Sequence, residues 1–288
     1  MAQPATQKEI TVGGIRITFL PDGYGRIDKM AMFPETTPDG WNLHPEWLDE
    51  NGRVVASIGG FLIQTGGRNI LVDTGYGDQQ VEFPGFGPFV GGRLLQSLAT
   101  TGLEPRDIDT VLYTHLHLDH IGWTSRVVNG ERELTFSRAN HLLMATEWEF
   151  WRSPDPGSFQ EALGPGLAEV RQPLENHTQF VSDGQVIAPG VTVIATPGHT
   201  PGHLSLVVSS GAQRAIILGD VMHCPVQFDE ADWSVVFDVD KELARRTRER
   251  LMRELEDPST VSADGHFSDV VFGRVMPAQG KRYWRGIP

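Results

Sequence analysis

Apolar and polar residues alternate over 9–20 (EITVGGIRITFL) on either side of Gly13-Gly14. A period of two broken by such a turn signal predicts two strands joined as a hairpin. The pattern returns at 54–75, where VVASIGGFLIQT, the turn sequence GGRN and ILVDTG predict a second hairpin. Between them, 21–53 sets Trp41, His44 and Trp47 in Pro- and Gly-rich sequence. This stretch predicts a surface excursion of the kind that caps a site. Residues 91–101 fit a helix that stops at Gly102, and the apolar run 108–113 (IDTVLY) predicts a buried strand. A strand is expected at 139–145, and helix in pieces over 146–172, broken by SPDPG and GPG. Strands follow at 191–196, 204–209 and 214–219. Residues 240–257 are strongly helical, with Asp240 as N-cap and Pro258 as stop, and 259–264 is expected to be the last core strand.

Hairpins that come first and then give way to strands alternating with helices predict an α+β architecture, two mixed sheets packed together with helices outside. No low-complexity linker divides the 288 residues, so 1–288 is expected to form a single domain.

Composition narrows the function. Hydrophobic residues make up 39% and charged residues 21%, as in ordinary globular proteins. The net charge of −13 and the absence of a Lys/Arg cluster disfavour a nucleic acid partner. The polar start MAQPATQKEITV does not look like a signal peptide, and no apolar stretch is long enough to span a bilayer. A cytoplasmic protein with no membrane partner is expected. The single cysteine, Cys224, excludes an internal disulfide and any multi-cysteine zinc site. It is expected to be a small buried hydrophobe. Any metal must therefore be held by histidine and carboxylate.

Such a set stands just after the strand 108–113, in His115-Leu-His117-Leu-Asp119-His120. Neutral imidazole and carboxylate suit zinc and similar divalent ions. From an extended turn His115 and His117 can point one way, while Asp119 and His120 turn to a neighbouring position, so one loop can serve two metals. Further ligands are expected at other strand ends. Thr196-Pro-Gly-His199-Thr-Pro-Gly-His203 offers two histidines in a tight turn. Ile216-Ile217-Leu218 runs into Gly219-Asp220, where a carboxylate can bridge two metals, and SADGHF places His266 after the last expected strand.

HLHLDH, the later HTPGH, the Gly-Asp strand end, the late histidine and LVDTG at 71–75 together resemble the metallo-β-lactamase superfamily, over about 54–267. The resemblance implies an αββα sandwich with metals at one sheet edge. By motif, His115, His117 and His199 would hold one metal, Asp119, His120 and His266 the other, and Asp220 would bridge. His203 has no ligand role in that pattern, and Asp73 would orient ligands rather than bind metal. Within the superfamily, GLEPRDIDTVLYTHLHLDHIG and GDVMHCPVQF resemble the branch of N-acyl homoserine lactonases, which are quorum-quenching enzymes, and of methyl parathion hydrolase-type enzymes. Those lactonases usually place a tyrosine three residues after the bridging aspartate. Here His223 stands there, the form of the phosphotriesterase-like members. Gly122-Trp123 likewise stands where many lactonases have two glycines.

The resemblance implies a dinuclear metal-dependent hydrolase of lactones or activated esters, using a metal-bridging hydroxide. Two zinc ions are the expected cofactors, though manganese, cobalt or iron suit the same ligands. Asp119 and Asp220 would balance charge and steer the nucleophile's proton. His223 would bond the substrate oxygen or protonate the leaving group. Specificity is expected from loops, 21–53 with Met30, Met32, Phe33 and Trp41, and 76–92 with Phe83, Phe86 and Phe89, and also from Phe228 and Trp233. These suit an apolar or aromatic small molecule, and an exposed aromatic excursion would suit a homodimer. The competing readings are a phosphotriesterase, a thioester, β-lactam or sulfate ester hydrolase of the same fold, a redox di-iron protein, and a non-enzymatic metal-binding scaffold or binding module. Di-iron relatives tend to carry a glutamate where His117 stands, and a flavin-binding domain.

Overall fold

The computed structural model describes residues 1–153, 157–278 and 281–287. Of the SPDPG break, 154–156 lie outside the described residues.

Two sheets face each other. The first runs in spatial order Thr178–Val181, Asn140–Met144, Thr110–Leu112, Arg68–Val72, Arg53–Thr65, Ile15–Asp28, Gly87–Val90 and Gln80–Phe83, and Lys8–Val12 also pairs with Ile15–Asp28. The second runs Val186–Ala188, Val191–Ala195, Leu204–Ser210, Gln213–Ile217, Thr260–Ala263, Phe272–Ala278 and Lys281–Gly286. Both are mixed: Asn140–Met144, Thr110–Leu112 and Arg68–Val72 are parallel, as are Gln213–Ile217 and Thr260–Ala263.

The central strands are apolar on both faces because both faces are covered. Phe61, Ile63, Ile70 and Val72 meet Val193, Leu206, Val208 and Ile217 between the sheets. On the outer face of the first sheet, Leu62, Leu71 and Val111 pack with Leu94 and Leu98 of the helix Leu94–Thr100. On the outer face of the second, Ile216 and Leu218 pack with Leu251, Met252 and Leu255 of the helix Lys241–Leu255. The result is helix, sheet, sheet, helix, as expected. Asp240 caps the second helix by accepting from the Leu243 N–H. Among the described residues, no helix is long and apolar enough to cross a membrane.

Three expectations change. Residues 260–263 are not the last core strand, because Phe272–Ala278 and Lys281–Gly286 continue the sheet. The segment 76–92 is not an open loop. Its Gln80–Phe83 and Gly87–Val90 form a hairpin against Tyr24 and Gly25. Gly23 makes that approach possible, since a Cβ there would lie 1.7 Å from the Val90 carbonyl oxygen. The stretch 21–53 is only partly an excursion. The strand Ile15–Asp28 continues through its start, and Met32, Phe33 and Trp41 are buried with Cys224, Val226 and Val235. These side chains fill a fourth core instead of presenting an aromatic face to solvent.

One buried carboxylate joins these parts. Asp22 accepts from the N–H groups of Tyr76, Gly77, Gly92 and Leu94 and from the Trp123 indole, at 2.7–3.1 Å. The turn carrying Gly122-Trp123 presses against the same place. A Cβ on Gly122 would stand 1.9 Å from the Tyr76 carbonyl carbon, so no larger residue fits.

Candidate metal centre

The expected ligands come from strand ends that open on one edge of the sandwich. His115 to His120 follow Thr110–Leu112, Asp220 follows Gln213–Ile217, and His266 follows Thr260–Ala263. His199 follows the antiparallel Val191–Ala195. Crevices at the carboxyl ends of parallel strands are where such sheets bind ligands.

The seven side chains fall into two groups. His115 Nε2 and His199 Nε2 lie 3.0 and 2.8 Å from His117 Nδ1, and 3.7 and 3.2 Å from Asp220 Oδ2. His120 Nε2 and His266 Nε2 lie 3.2 Å apart and 3.1 and 3.2 Å from Asp220 Oδ1, with the Asp119 carboxylate 3.8 and 3.7 Å away. Asp220 thus turns one oxygen to each group. Donor atoms all about 2.1 Å from one ion stand roughly 3–4 Å from each other, which is the spacing seen here. Buried polar atoms are normally paired, yet Asp220 Oδ1 has no hydrogen-bond partner. The chemistry of the donors, their spacing and this orphaned atom fit two divalent ions.

A surrounding layer aims the rings. His115 Nδ1 donates to Thr114 Oγ1, His120 Nδ1 to Asp73, His199 Nδ1 to Asp238 and His266 Nδ1 to the Ser57 carbonyl, at 2.9–3.0 Å. Each bond holds the proton on Nδ1 and leaves the Nε2 lone pair free for a ligand bond. Asp73 also accepts from the N–H and hydroxyl of Thr114 and adopts φ 61°, a left-handed backbone that a non-glycine residue takes at a cost. His203 stands behind Asp220 and does not join either group. Glu147, fully buried, accepts from the N–H of Leu116 and of Gly202, the Thr200 hydroxyl and the Trp151 indole. It joins the HLHLDH loop to the HTPGH turn.

The electrostatics follow from burial and from Asp220. Burial pushes His115 and His117 well below the usual histidine range. Burial also opposes charge on His199 and His266, but Asp220 outweighs it and raises both to about 9. His120 is raised well above its usual value against burial by Asp220, Asp119 and Asp73. In return the ring of imidazoles holds Asp220 well below the usual carboxylate range, although burial opposes this. Asp220 is thus the carboxylate on which the imidazoles of both groups converge.

Beside it opens a pocket of about 670 Å³, counting its mouth. His117, Asp119, His199, Asp220, His223 and His266 form its floor, and Phe83, Phe86, Phe89, Phe159 and Phe237 dominate its walls. Phe159 stacks on Phe86 and Phe237, with centroids 6.1 Å from each. Phe83, Phe86, Phe89 and Met32 are thus at the pocket as expected. Met30, Phe33, Trp41, Phe228 and Trp233 are not among its lining. Phe33, Trp41 and Trp233 pack edge-on or tilted against one another, and Phe228 packs on Phe267, because these rings complete cores. Phe159 and Phe237 escaped sequence reasoning, as did Glu147 and Asp238. His223 lies in the floor with Nε2 3.1 Å from Asp220 Oδ2, and neither ring nitrogen makes a hydrogen bond. Burial lowers its pKa, so it is neutral at pH 7. A third cluster, His44, Asp229 and Glu230, already has the Lys281 ammonium 3.0 Å from Asp229.

Comparison with known proteins gives the family and the fold. The profile described as the Metallo-beta-lactamase superfamily matches residues 60–266. The N-acyl homoserine lactonase AiiA of Bacillus thuringiensis subsp. kurstaki is 26% identical over 264 residues, 87% of this chain and 92% of the relative. Among solved structures, the dizinc quorum-quenching lactonase AidC superposes with a TM-score of 0.86 at 22% identity, covering 99% of this chain and 98% of its own. AbOPH, a hydrolase in the beta lactamase superfamily, superposes with a TM-score of 0.81 at 27% identity, covering 99% of both chains.

Proposed function

Because the chain belongs to the Metallo-beta-lactamase superfamily, we propose that it is a dinuclear metal-dependent hydrolase that opens lactones or cleaves activated esters, and that its substrates are neutral and apolar. The observation that carries this reading is the division of Asp220 between two ligand groups at the floor of a phenylalanine-walled pocket.

His115, His117 and His199 would hold one ion, Asp119, His120 and His266 the other, with Asp220 shared. Zinc suits this nitrogen and oxygen set best, and manganese, cobalt or iron can use it. Two such ions supply an ionised water near neutral pH and Lewis acidity toward a carbonyl or phosphoryl oxygen. The chain's own groups do the rest. Asp119, the most exposed of the seven with 20% of its side chain open, can take the nucleophile's proton. His223, neutral and free at both nitrogens, can donate a hydrogen bond to the substrate oxygen and pass a proton to the leaving group. The phenylalanines hold an acyl chain or aryl group and exclude water. Residues 21–53 cap the pocket through Ile27 and Met32.

Charge separates this reading from its rivals. Among the described lining residues there is no Lys or Arg. β-Lactams and most cellular thioesters carry an anionic group away from the bond that is cut, and this wall offers it no cation. Neutral lactones and phosphotriesters carry no such group. His223 favours the phosphotriester alternative, and the match to AiiA favours the lactone.

The deciding experiment is metal analysis with turnover of acyl-homoserine lactones, simple lactones, an aryl phosphotriester, a β-lactam and an anionic thioester. Two metal equivalents and a preference for a neutral class of roughly 100-fold or more are expected. Faster turnover of an anionic substrate would overturn the charge argument, and activity retained without metal would overturn the whole reading.

A further inference from the structure

The helix Lys241–Leu255 (KELARRTRERLMREL) buries a stripe at 244, 247, 248, 251, 252 and 255. Five of these fit a core-facing helix, and the sixth is Arg248. Arg248 is fully buried, while Arg245, Arg246 and Arg253 of the same helix are about half exposed or more. A buried guanidinium is rare unless it is paired. Its Nε donates to the Val221 carbonyl and its Nη1 to the carbonyls of Ala231 and Trp233. Its Nη2 stands 3.6 Å from Asp238 Oδ2, and these two atoms are the ones on either group left without a hydrogen bond.

The other oxygen of Asp238 receives His199 Nδ1–H at 3.0 Å. The backbone beside it is fixed to the same turn, with the N–H groups of Val239 and Asp240 donating to the carbonyls of His199 and Gly198. Arg248 is thus the cation that faces Asp238, and its three carbonyl bonds pin both ends of the segment that follows Asp220 and carries His223.

We propose that Arg248 is a positioning residue of the metal centre, acting through Asp238 to hold His199 Nε2 on the ion shared with His115 and His117. The inference rests on the dinuclear reading. Without the guanidinium, Asp238 is a buried anion with no counterion. It then turns toward water or another donor, and His199 loses the acceptor that fixes its tautomer and angle. The chain of contact is arginine, carboxylate, imidazole, ion. Its outermost member lies on the helix covering the second sheet.

The test is a zinc titration of the metal-stripped full-length protein against a competing chelator, for wild type, Asp238→Asn, Arg248→Met, Arg248→Lys and the double variant Asp238→Asn/Arg248→Met. One of two binding steps should weaken about 10- to 100-fold in Asp238→Asn and in Arg248→Met, while the other holds. The double variant should be no weaker than the worse single, since both changes break one chain. Arg248→Lys retains a charge but cannot span three carbonyls and Asp238 together, and should weaken the same step at least about fivefold. If Arg248→Met does not fold, the comparison of Arg248→Lys with Asp238→Asn decides. Wild type that binds two ions, with variants that unfold more easily but bind both unchanged, overturns the inference and leaves the reading intact. Multiplying effects in the double variant also overturn it. Wild type that binds no zinc overturns both.

Discussion

The backbone N–H of Asp220 donates to Nε2 of His203 at 2.8 Å. That nitrogen can accept only while unprotonated, and burial takes the His203 pKa down to about 3. Its Nδ1 carries the proton and meets the hydroxyl and carbonyl of Thr196 at 2.8 and 3.1 Å. A histidine that binds nothing thus sets the peptide that aims the shared carboxylate. His203→Ala should lower metal affinity and kcat together by roughly 10- to 100-fold. Chelator competition and steady-state rates check this. Unchanged affinity would make His203 a core residue only.

Phe237 should act on substrate binding and not on the metals. Phe237→Ala removes one face of the stack with Phe159. About 1–2 kcal/mol of apolar contact, or roughly 5- to 30-fold in kcat/KM, should be lost for long-chain or aryl substrates. Short substrates should be nearly unaffected. A loss equal for short and long substrates would remove Phe237 from the binding surface.

His223→Tyr exchanges a neutral imidazole for a phenol in the pocket floor. The phenol offers one donor, farther from the backbone. The ratio of lactone to phosphotriester turnover should rise, by about fivefold or more if His223 contributes one good hydrogen bond to the phosphotriester. The same substrate panel measures it. An identical profile would exclude His223 from the chemistry.

His141 sets a pH dependence away from the metals. It is buried, with Nδ1 3.0 Å from the Tyr113 hydroxyl and Nε2 3.2 Å from the Phe136 carbonyl. Burial lowers its pKa from 6.5 to about 4. The unfolded chain therefore binds more protons than the folded one between these values. The stabilisation is fully present above pH 6.5 and is lost as pH falls to 4. A shift of this size corresponds to about 3 kcal/mol. Urea unfolding across pH 4–7 should be flatter in His141→Asn than in wild type. Parallel curves would refute the assignment.

The side chains of the candidate centre were legible because they stand at or just beyond the ends of apolar runs, where a histidine or aspartate breaks the pattern. His115 to His120 are also close in sequence, so their chemistry is visible in one glance. The hairpins 9–20 and 54–75 were legible by period and turn. Asp238 and Glu147 were not, because each earns its role only from partners brought near by folding: His199 lies 39 residues from Asp238, and Thr200 lies 53 from Glu147. Phe159 and Phe237 are ordinary aromatics until folding stacks a short helix, Phe159–Leu163, on a distant loop. Arg248 left a signal that pattern reading could have caught, a charge on the buried stripe of an amphipathic helix. The exposed excursion was misjudged because Pro and Gly mark turns without saying what lies beneath them.

The first sheet's loop supplies His115, His117, Asp119 and His120, and the second sheet's strand ends supply His199, Asp220 and His266. No continuous part of the chain shorter than 115–266 holds a full complement. Bound ions would therefore act as a reversible crosslink between the two halves, one whose strength is set by the solution around the protein. By mass action, free metal at 100 times its dissociation constant adds about 2.7 kcal/mol per site against unfolding. The melting temperature should then track metal concentration, and a chelator should loosen the join between the sheets before it disturbs either one.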